Sequence, residues 1–496
     1  MNKLTKSFSL ITIALMIMLL FLSCGGKDGA ETAAPDVQET ESTETTADDS
    51  PVFPADADFG GYEYRILVTG NTENNWQKND FRADEMTGDV LNDARFERNR
   101  AVEERFNVKI ISDEQYGAAK GAGTGFMLIS KSVMAGDGVY SAAMINGYDV
   151  CNLACSGYLC DLNDLPYVDL TKEWWDQKAN RDLTIQTHMY YTTGDISSTG
   201  FDATCCNLFN KKLVVDFSLE SPYDLVRDGK WTFDAMMAMG VNVSSDLDGD
   251  GKMTSADRFG SIVWDDSIMA AVNGALIKCG TVNNDGRIEL TLNTPITDSV
   301  IGKYCDYVFS DDCYRYQRVS YDITEPVNMF ASDRALFFMQ MLDLTSYFRN
   351  METDFGILPV PKYDESQLSY GHTIGSWHSQ FLSVPNTLPD PERTGMVLES
   401  LAYESMKRVT PAYYDKTLIG KYFRDDESVE MLDIILKTRV FDLGWYYQLG
   451  LYNDEILYMV YAEKNNWASR YEKYESKALA DTERINSAFE EFLGRQ

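Results

Sequence analysis

Histidine is scarce in this chain: three residues in 496, His188, His372 and His378. No C-x-x-C pair accompanies them, so the pattern of a zinc centre is missing. Neither a G-x-S-x-G nucleophile elbow nor an H-E-x-x-H helix motif occurs, which removes two common signatures of hydrolases. The glycine-rich stretch from Gly117 to Gly125 lacks the Gly-Lys-Ser/Thr ending of a phosphate loop and reads as a connection. Basic residues are outnumbered, 44 against 77 acidic, for a net charge of −33. Such a polyanion is repelled by nucleic acid, so no nucleic-acid partner is expected. After the N-terminal stretch no apolar run is long enough to cross a bilayer. No tandem repeat is visible.

What is present begins at the N-terminus. Lys3 and Lys6 give a basic start, Phe8 to Leu22 form a mainly apolar run, and Ser23 precedes Cys24, Gly25 and Gly26. The run is short for a transmembrane helix and matches a cleaved signal, here 1–23. Its small-residue-then-cysteine ending has the form of a lipobox, with Leu20 one place early and Phe21 at the usual leucine position. Cys24 is therefore the expected acylated first residue. The protein is then expected on the extracellular face of the cell membrane, held by a lipid anchor.

Residues 24–58 read as a disordered acidic tether. From residue 25 they carry Asp28, Glu31, Asp36, Glu39, Glu41, Glu44, Asp48, Asp49, Asp56 and Asp58 against Lys27, with Phe53 the one aromatic. So little apolar surface cannot offset the entropy of ordering. From about residue 59 the composition is globular, and the length exceeds one typical core, which predicts two lobes. The eight cysteines after Cys24 read mostly as small buried hydrophobes, with their pairing left open.

The patterning predicts an α/β fold. Tyr62 to Val68 and Val108 to Ile111 read as strands, with a helix from Leu91 to Phe106 between them, ended by Asn107. Phe126 to Met134 reads as a helix and Tyr148 to Val150 as a third strand, an order that implies a parallel sheet. Thr204 to Phe209 and Phe355 to Val360 read as further strands, Thr232 as a helix N-cap, and Ile288 to Leu292 as a hairpin arm. Near the C-terminus Leu479, Thr482, Ile485, Phe489 and Phe492 form a helical stripe typical of core packing.

The sharpest local motif runs from Asp246 to Asp257 and fits the calcium-loop template D-x-D-x-D-G-x5-[DE]. Calcium takes six to eight hard oxygens. Asp246, Asp248 and Asp250 supply carboxylates, Lys252 a backbone carbonyl, Thr254 a hydroxyl or a bridging water, and Asp257 the last position. Gly251 permits the sharp turn. The flanks lack paired amphipathic helices and a second copy, so one structural Ca2+ is expected rather than a regulatory pair.

Several blocks resemble the extracellular solute-binding lipoproteins of bacterial ABC importers, in the branch that mostly binds sugars and oligosaccharides. They are the lipobox with its tether, Leu91-Asn92-Asp93-Ala94 through Val108, Asn207 to Leu213, Ser221 to Thr232, Phe330 to Phe337, and Phe355-Gly356-Ile357-Leu358-Pro359-Val360-Pro361. The resemblance implies a two-lobed fold like the type II periplasmic binding proteins, with a hinge and a central cleft. It implies 59–190 plus about 330–375 in one lobe, and about 191–329 plus 376–496 in the other. The crossings are expected at Tyr190 to Ser198, near Phe330, and at Gly375 to Val384. It further implies a sugar or oligosaccharide ligand, ABC permease subunits as partners, a monomer, and no enzymatic turnover.

Sugars are held by aromatic faces and by carboxylates or amides against hydroxyls. The candidates are Trp76 after the first strand, Asp195 at the first crossing, Trp264 and Asp265, Trp377, and Trp445. The adjacent Trp174 and Trp175 rank lower, because neighbours rarely face one cleft. Two other readings share the anchor and the aromatics: a secreted glycoside hydrolase, and a surface glycan-binding protein without a transporter.

Overall fold

The computed structural model describes residues 49–70, 77–117, 120–316, 322–414 and 425–493. Trp76 and Cys24 lie outside these. The chain opens with β1 (Tyr62–Val68), α1 (Val90–Phe106), β2 (Val108–Glu114), α2 (Thr124–Ala135), β3 (Ala142–Asn146), α3 (Gly147–Cys155) and β4 (Tyr191–Thr192). It continues through β5 (Cys205–Asn210), α4 (Phe233–Val243), β6 (Phe259–Val263), α5 (Ser267–Gly274), β7 (Gly280–Val282), β8 (Ile288–Leu290), β9 (Cys313–Arg315), β10 (Ala335–Met341) and β11 (Phe355–Leu358). It closes with β12 (His372–Thr373), β13 (Gln380–Ser383), α6 (Pro391–Glu404), α7 (Asp426–Lys437), β14 (Arg439–Val440), α8 (Tyr452–Ala462) and α9 (Trp467–Leu493).

Two five-stranded sheets result, ordered β2-β1-β3-β13-β4 and β11-β5-β10-β6-β9. In the first, β1 runs parallel to β2 and β3, while β13 opposes β3 and β4. In the second, β6 runs parallel to β10 and β9, while β5 opposes β10 and β11. The two opposed strands, β13 and β5, are those that follow a crossing from the other sheet. Such a strand enters at the edge where the parallel strands end, so it must run against them.

The predicted parallel start is present, with one correction. Tyr148 to Val150 are helical: Asn146 ends β3 and its side chain accepts the N–H groups of Tyr148 and Asp149, both at 3.0 Å. That cap starts α3 where the apolar run reads as strand. Other signals hold. Asp89 caps α1, Asn107 ends it in the left-handed region (φ 49°), and Thr232 accepts from Ala235 N at 3.2 Å to cap α4. On α9 the buried stripe is Ala478, Thr482, Ile485 and Phe489, whereas Leu479 is exposed.

The lobe boundaries need correction. Residues 335–341 and 355–358 pair with β5 and so belong to the second sheet, not the first. Residues 380–383 belong to the first sheet, and α6 behind them packs on α1. The chain therefore crosses between Thr192 and Cys205 and returns between Leu358 and Gln380, not at Phe330. The two crossings meet: Thr204 bridges Ile374, and Gly375 N donates to Ala203 O at 3.0 Å. β14 lies parallel to β12 beside them. Asp80 anchors the first crossing to the first lobe, accepting from Ser197 Oγ (2.8 Å), Ser198 N (2.7 Å) and Arg95. Burial opposes its ionisation, but Arg95 and the two serines hold its carboxyl below the ordinary value.

The folded body begins earlier than residue 59. Contacts divide the chain after Asp49, and Ser50 onward joins the folded body. Phe53 sets its edge on Phe106 at 5.2 Å, and Arg105 Nη2 donates to Pro54 O at 2.8 Å. The single aromatic of the acidic segment supplies the apolar surface that fastens it. The eight cysteines after Cys24 are free thiols, six of them buried.

Candidate binding cleft

Ligands of open α/β sheets gather beyond the carboxyl ends of the strands. A cavity of about 670 Å³ lies there. Lys120 follows β2, Tyr148 follows β3, Trp264, Asp265 and Asp266 follow β6, and Tyr316 follows β9. Gln340 closes β10, Trp377 and His378 come from the returning crossing, and α8 adds Asn453, Asp454, Tyr458 and Tyr461. Both sheets and the hinge thus contribute walls.

Several polar groups in this wall lack partners. Trp264 is 6% exposed and its Nε1 has no hydrogen bond. Asn453 is 1% exposed; its Nδ2 donates to Tyr148 OH at 3.4 Å, and its Oδ1 has no partner. A buried polar atom without a partner costs about 1–3 kcal/mol, and a ligand hydroxyl would recover it. Other groups are held in place: Tyr461 donates to Asp265, Gln340 Nε2 donates to Tyr316 OH, and Lys120 pairs with Asp454. His378 stacks edgewise near Trp264, ring centres 6.0 Å apart, and burial pushes its pKa down to about 4. Burial first, then the neighbouring charge of Asp265, raises the Asp266 carboxyl.

No protein-family model matches this sequence, and no curated protein matches it. Solved structures do match in fold. UspC of Mycobacterium tuberculosis superposes with a TM-score of 0.57 at 11% identity, over 84% of this chain and 100% of that one. The cyclic alpha-maltosyl-1,6-maltose binding protein of Arthrobacter globiformis gives 0.54 at 13%, over 86% and 99%. An ABC substrate-binding protein of Listeria monocytogenes in complex with cycloalternan gives 0.53 at 13%, over 86% and 99%. The fold is that of ABC-importer solute-binding proteins.

Within this solute-binding fold the residues singled out from sequence divide. Trp264, Asp265 and Trp377 are brought together in the cleft. Trp377 is half-buried and its carbonyl accepts from Gln77 Nε2 at 2.9 Å. Trp445 is buried and lines a small adjoining cavity of about 50 Å³ that it shares with Trp264 and Trp377; its Nε1 is also unpartnered. Asp195 is not in the cleft. It accepts from Thr410 Oγ1 at 2.5 Å, and its backbone N–H bonds Trp174 O at 2.9 Å. An aspartate on a crossing segment serves the hinge as readily as the cavity, and sequence position does not separate the two. Trp174 and Trp175 are core: their indole N–H groups donate to Glu399 Oε1 and Oε2 at 3.1 and 3.0 Å. Sequence reasoning missed Lys120, Tyr148, Asn453, Asp454 and Tyr461, which come from helices and loops with no aromatic-acid doublet to mark them.

Burial raises Asp195 to about 6 and Glu399 to about 7, from ordinary values of 3.8 and 4.5. The native state therefore holds protons that the unfolded chain has lost. Stability is fully present below the unfolded values and falls as pH rises, by at most about 1.4 kcal/mol per unit and group. Urea midpoints are expected to be higher at about pH 4.5 than at about pH 7.5, where both groups have titrated. A midpoint that rises over this window would contradict the assignment.

The Asp246–Asp257 loop lies on the second lobe between α4 and β6. Carboxylate oxygens of Asp246, Asp248 and Asp250 come within 4.8 Å of one another. Gly251 takes φ +80° as the template requires. Asp246 accepts from Gly249 N and Gly251 N at 2.6 and 2.8 Å, so the turn is already formed. Asp257 stands outside that trio. Its oxygens accept from Leu247 N and Thr254 N, both at 2.8 Å, with Thr254 Oγ1 at 3.2 Å, and so clamp the loop. Lys252 is exposed.

Proposed function

We propose that this chain is an extracellular solute-binding protein, of the sugar and oligosaccharide branch, that captures a saccharide between its lobes and delivers it to an ABC transporter. One observation carries the reading: an aromatic-walled cavity, bounded by both sheets and the hinge, that contains buried polar atoms without partners. Closure of two lobes needs a ligand that favours the closed state, and stacking on Trp264 and Trp377 with hydrogen bonds to Asp265 supplies that preference. Binding without turnover suits this arrangement. The test is a thermal-shift panel of oligosaccharides, since a cleft ligand raises the melting temperature by mass action. Release of reducing sugar from a bound ligand would overturn the reading in favour of a hydrolase.

The anchor belongs to the same reading. Cys24 is the proposed lipidated N-terminus, joining the receptor to the membrane beside its permeases. Cys24→Ala should move the protein from the membrane fraction to the soluble one. Unchanged membrane association would remove the anchor from the proposal.

The Asp246–Asp257 loop is the proposed site of one structural Ca2+, with Asp246, Asp248 and Asp250 as carboxylate ligands. Without a cation three clustered carboxylates repel, so chelation should lower the melting temperature, and Asp248→Ala should abolish the sensitivity. A melting curve indifferent to chelator and to added calcium would leave a plain acidic turn.

A further inference from the structure

The cleft has an unbalanced charge. Its described lining contains three carboxylates, Asp265, Asp266 and Asp454, and one lysine, Lys120. Lys120 pairs with Asp454, and its single charge also acts on Asp265 and Asp266. No described lysine or arginine forms an ion pair with Asp265 or Asp266. Asp265 accepts from Tyr461 and from the backbone N–H of Asp266 at 3.1 Å, whereas the Asp266 carbonyl accepts from Met269 N at 2.9 Å and its carboxylate accepts from no described residue. Asp266 is the N-cap residue of α5, but its side chain makes no capping bond.

Two adjacent carboxylates in a half-dry cavity repel each other far more strongly than in water. Trp264, Trp377, Tyr148 and Tyr316 line the same cavity, and Lys120 Nζ already lies over the Tyr148 ring, 5.9 Å from its centre, so these walls accept a cation as well as sugar C–H surface. Asn453 Oδ1, buried and unpartnered, adds a further acceptor. Acids, ring faces and a spare acceptor select one kind of group.

We propose that the cleft recognises a ligand bearing a protonated amine, seated against Asp266 and Asp265, and that its natural class is an amino sugar with a free amino group. This rests on the saccharide-binding reading above and narrows it. A neutral sugar hydroxyl can bond either carboxylate but leaves the pair dependent on a retained proton; an ammonium balances both charges. Uronate, sulfate or phosphate groups would add to the repulsion. The raised carboxyl of Asp266 agrees, because an ammonium takes the place of the proton that the pair otherwise retains.

Calorimetric titration of the purified protein would use a glucosamine oligomer, its N-acetylated counterpart, maltotetraose and spermidine. The glucosamine oligomer should bind at least about tenfold more tightly than the N-acetylated one, the size of one charge-assisted hydrogen bond. N-acetylated or neutral oligomers binding as tightly would overturn the amine preference and leave the saccharide receptor standing. Spermidine binding alone would support the ammonium site and overturn the saccharide reading. No binding by either amine would overturn the proposal. Asp266→Asn keeps the shape and should bring the ratio of amine to N-acetyl affinity close to one. Asp454→Asn, which strips Lys120 of its partner, should lower that ratio too; an unchanged ratio in both variants would remove these carboxylates from recognition.

Discussion

Trp264→Ala should lower both stability and ligand affinity, whereas Trp377→Ala should lower affinity alone. Trp264 lines the cavity yet is 6% exposed, packed edgewise to His378. Its removal leaves a large void, and such truncations cost about 3–5 kcal/mol. Trp377 lines the same cavity but is half-buried on the crossing segment, held through its backbone carbonyl by Gln77. That backbone bond survives truncation of the side chain. The stability cost should stay within about 1 kcal/mol, while the lost stacking surface weakens binding by about 1–3 kcal/mol. Titration of each variant with a ligand found in the panel, beside its urea unfolding curve, separates the two. Full affinity in Trp377→Ala would take that ring out of the ligand contact.

The largest effect expected from one polar side chain is at Asp442. It is 1% exposed and accepts from Asn273 Nδ2 (3.0 Å), Cys279 N (2.8 Å), Gly280 N (3.2 Å) and Gly444 N (3.0 Å). Burial raises its carboxyl, and these donors oppose that rise. Asp442→Ala strands four donors that water cannot reach. The expected loss is about 3–5 kcal/mol, the range for breaking a buried charged network from one side. Asp442→Asn keeps one acceptor oxygen and should lose less. Asn273 stands near the end of α5, the helix that opens beside Asp266, so the alanine variant should also loosen the cleft floor. Unfolding free energies within about 1 kcal/mol of the parent would show that these bonds are replaced by others.

The legible parts of the fold are those written in adjacent residues. Alternation and apolar runs located β1, β2, β5 and β11, and the caps at Thr232 and Asn107 marked helix ends, because those signals act within a few residues. The Trp264-Asp265 doublet and Trp377 stood out as cleft candidates for the same reason. Leu479 was misassigned to the core because a stripe read from spacing is uncertain by one position, and the structure turns Ala478 inward instead.

By itself, the sequence determined the α/β class, the basic-apolar-cysteine pattern of the N-terminus, the acidic stretch after it, and the twelve-residue aspartate loop. Each rests on local composition or on a contiguous template. Tertiary structure alone decided which strands share a sheet, and so where the chain crosses between lobes, since pairing partners such as Ile145 and Phe381 lie far apart along the chain. It alone separated Trp264, facing a cavity, from Trp174 and Trp175, clamped on Glu399. It placed Asp195 against Thr410 rather than ligand, and brought Lys120, Asp454 and Tyr461 to the two carboxylates. A side chain's role there depends on what burial and long-range packing leave beside it, and neither is encoded in its immediate neighbours.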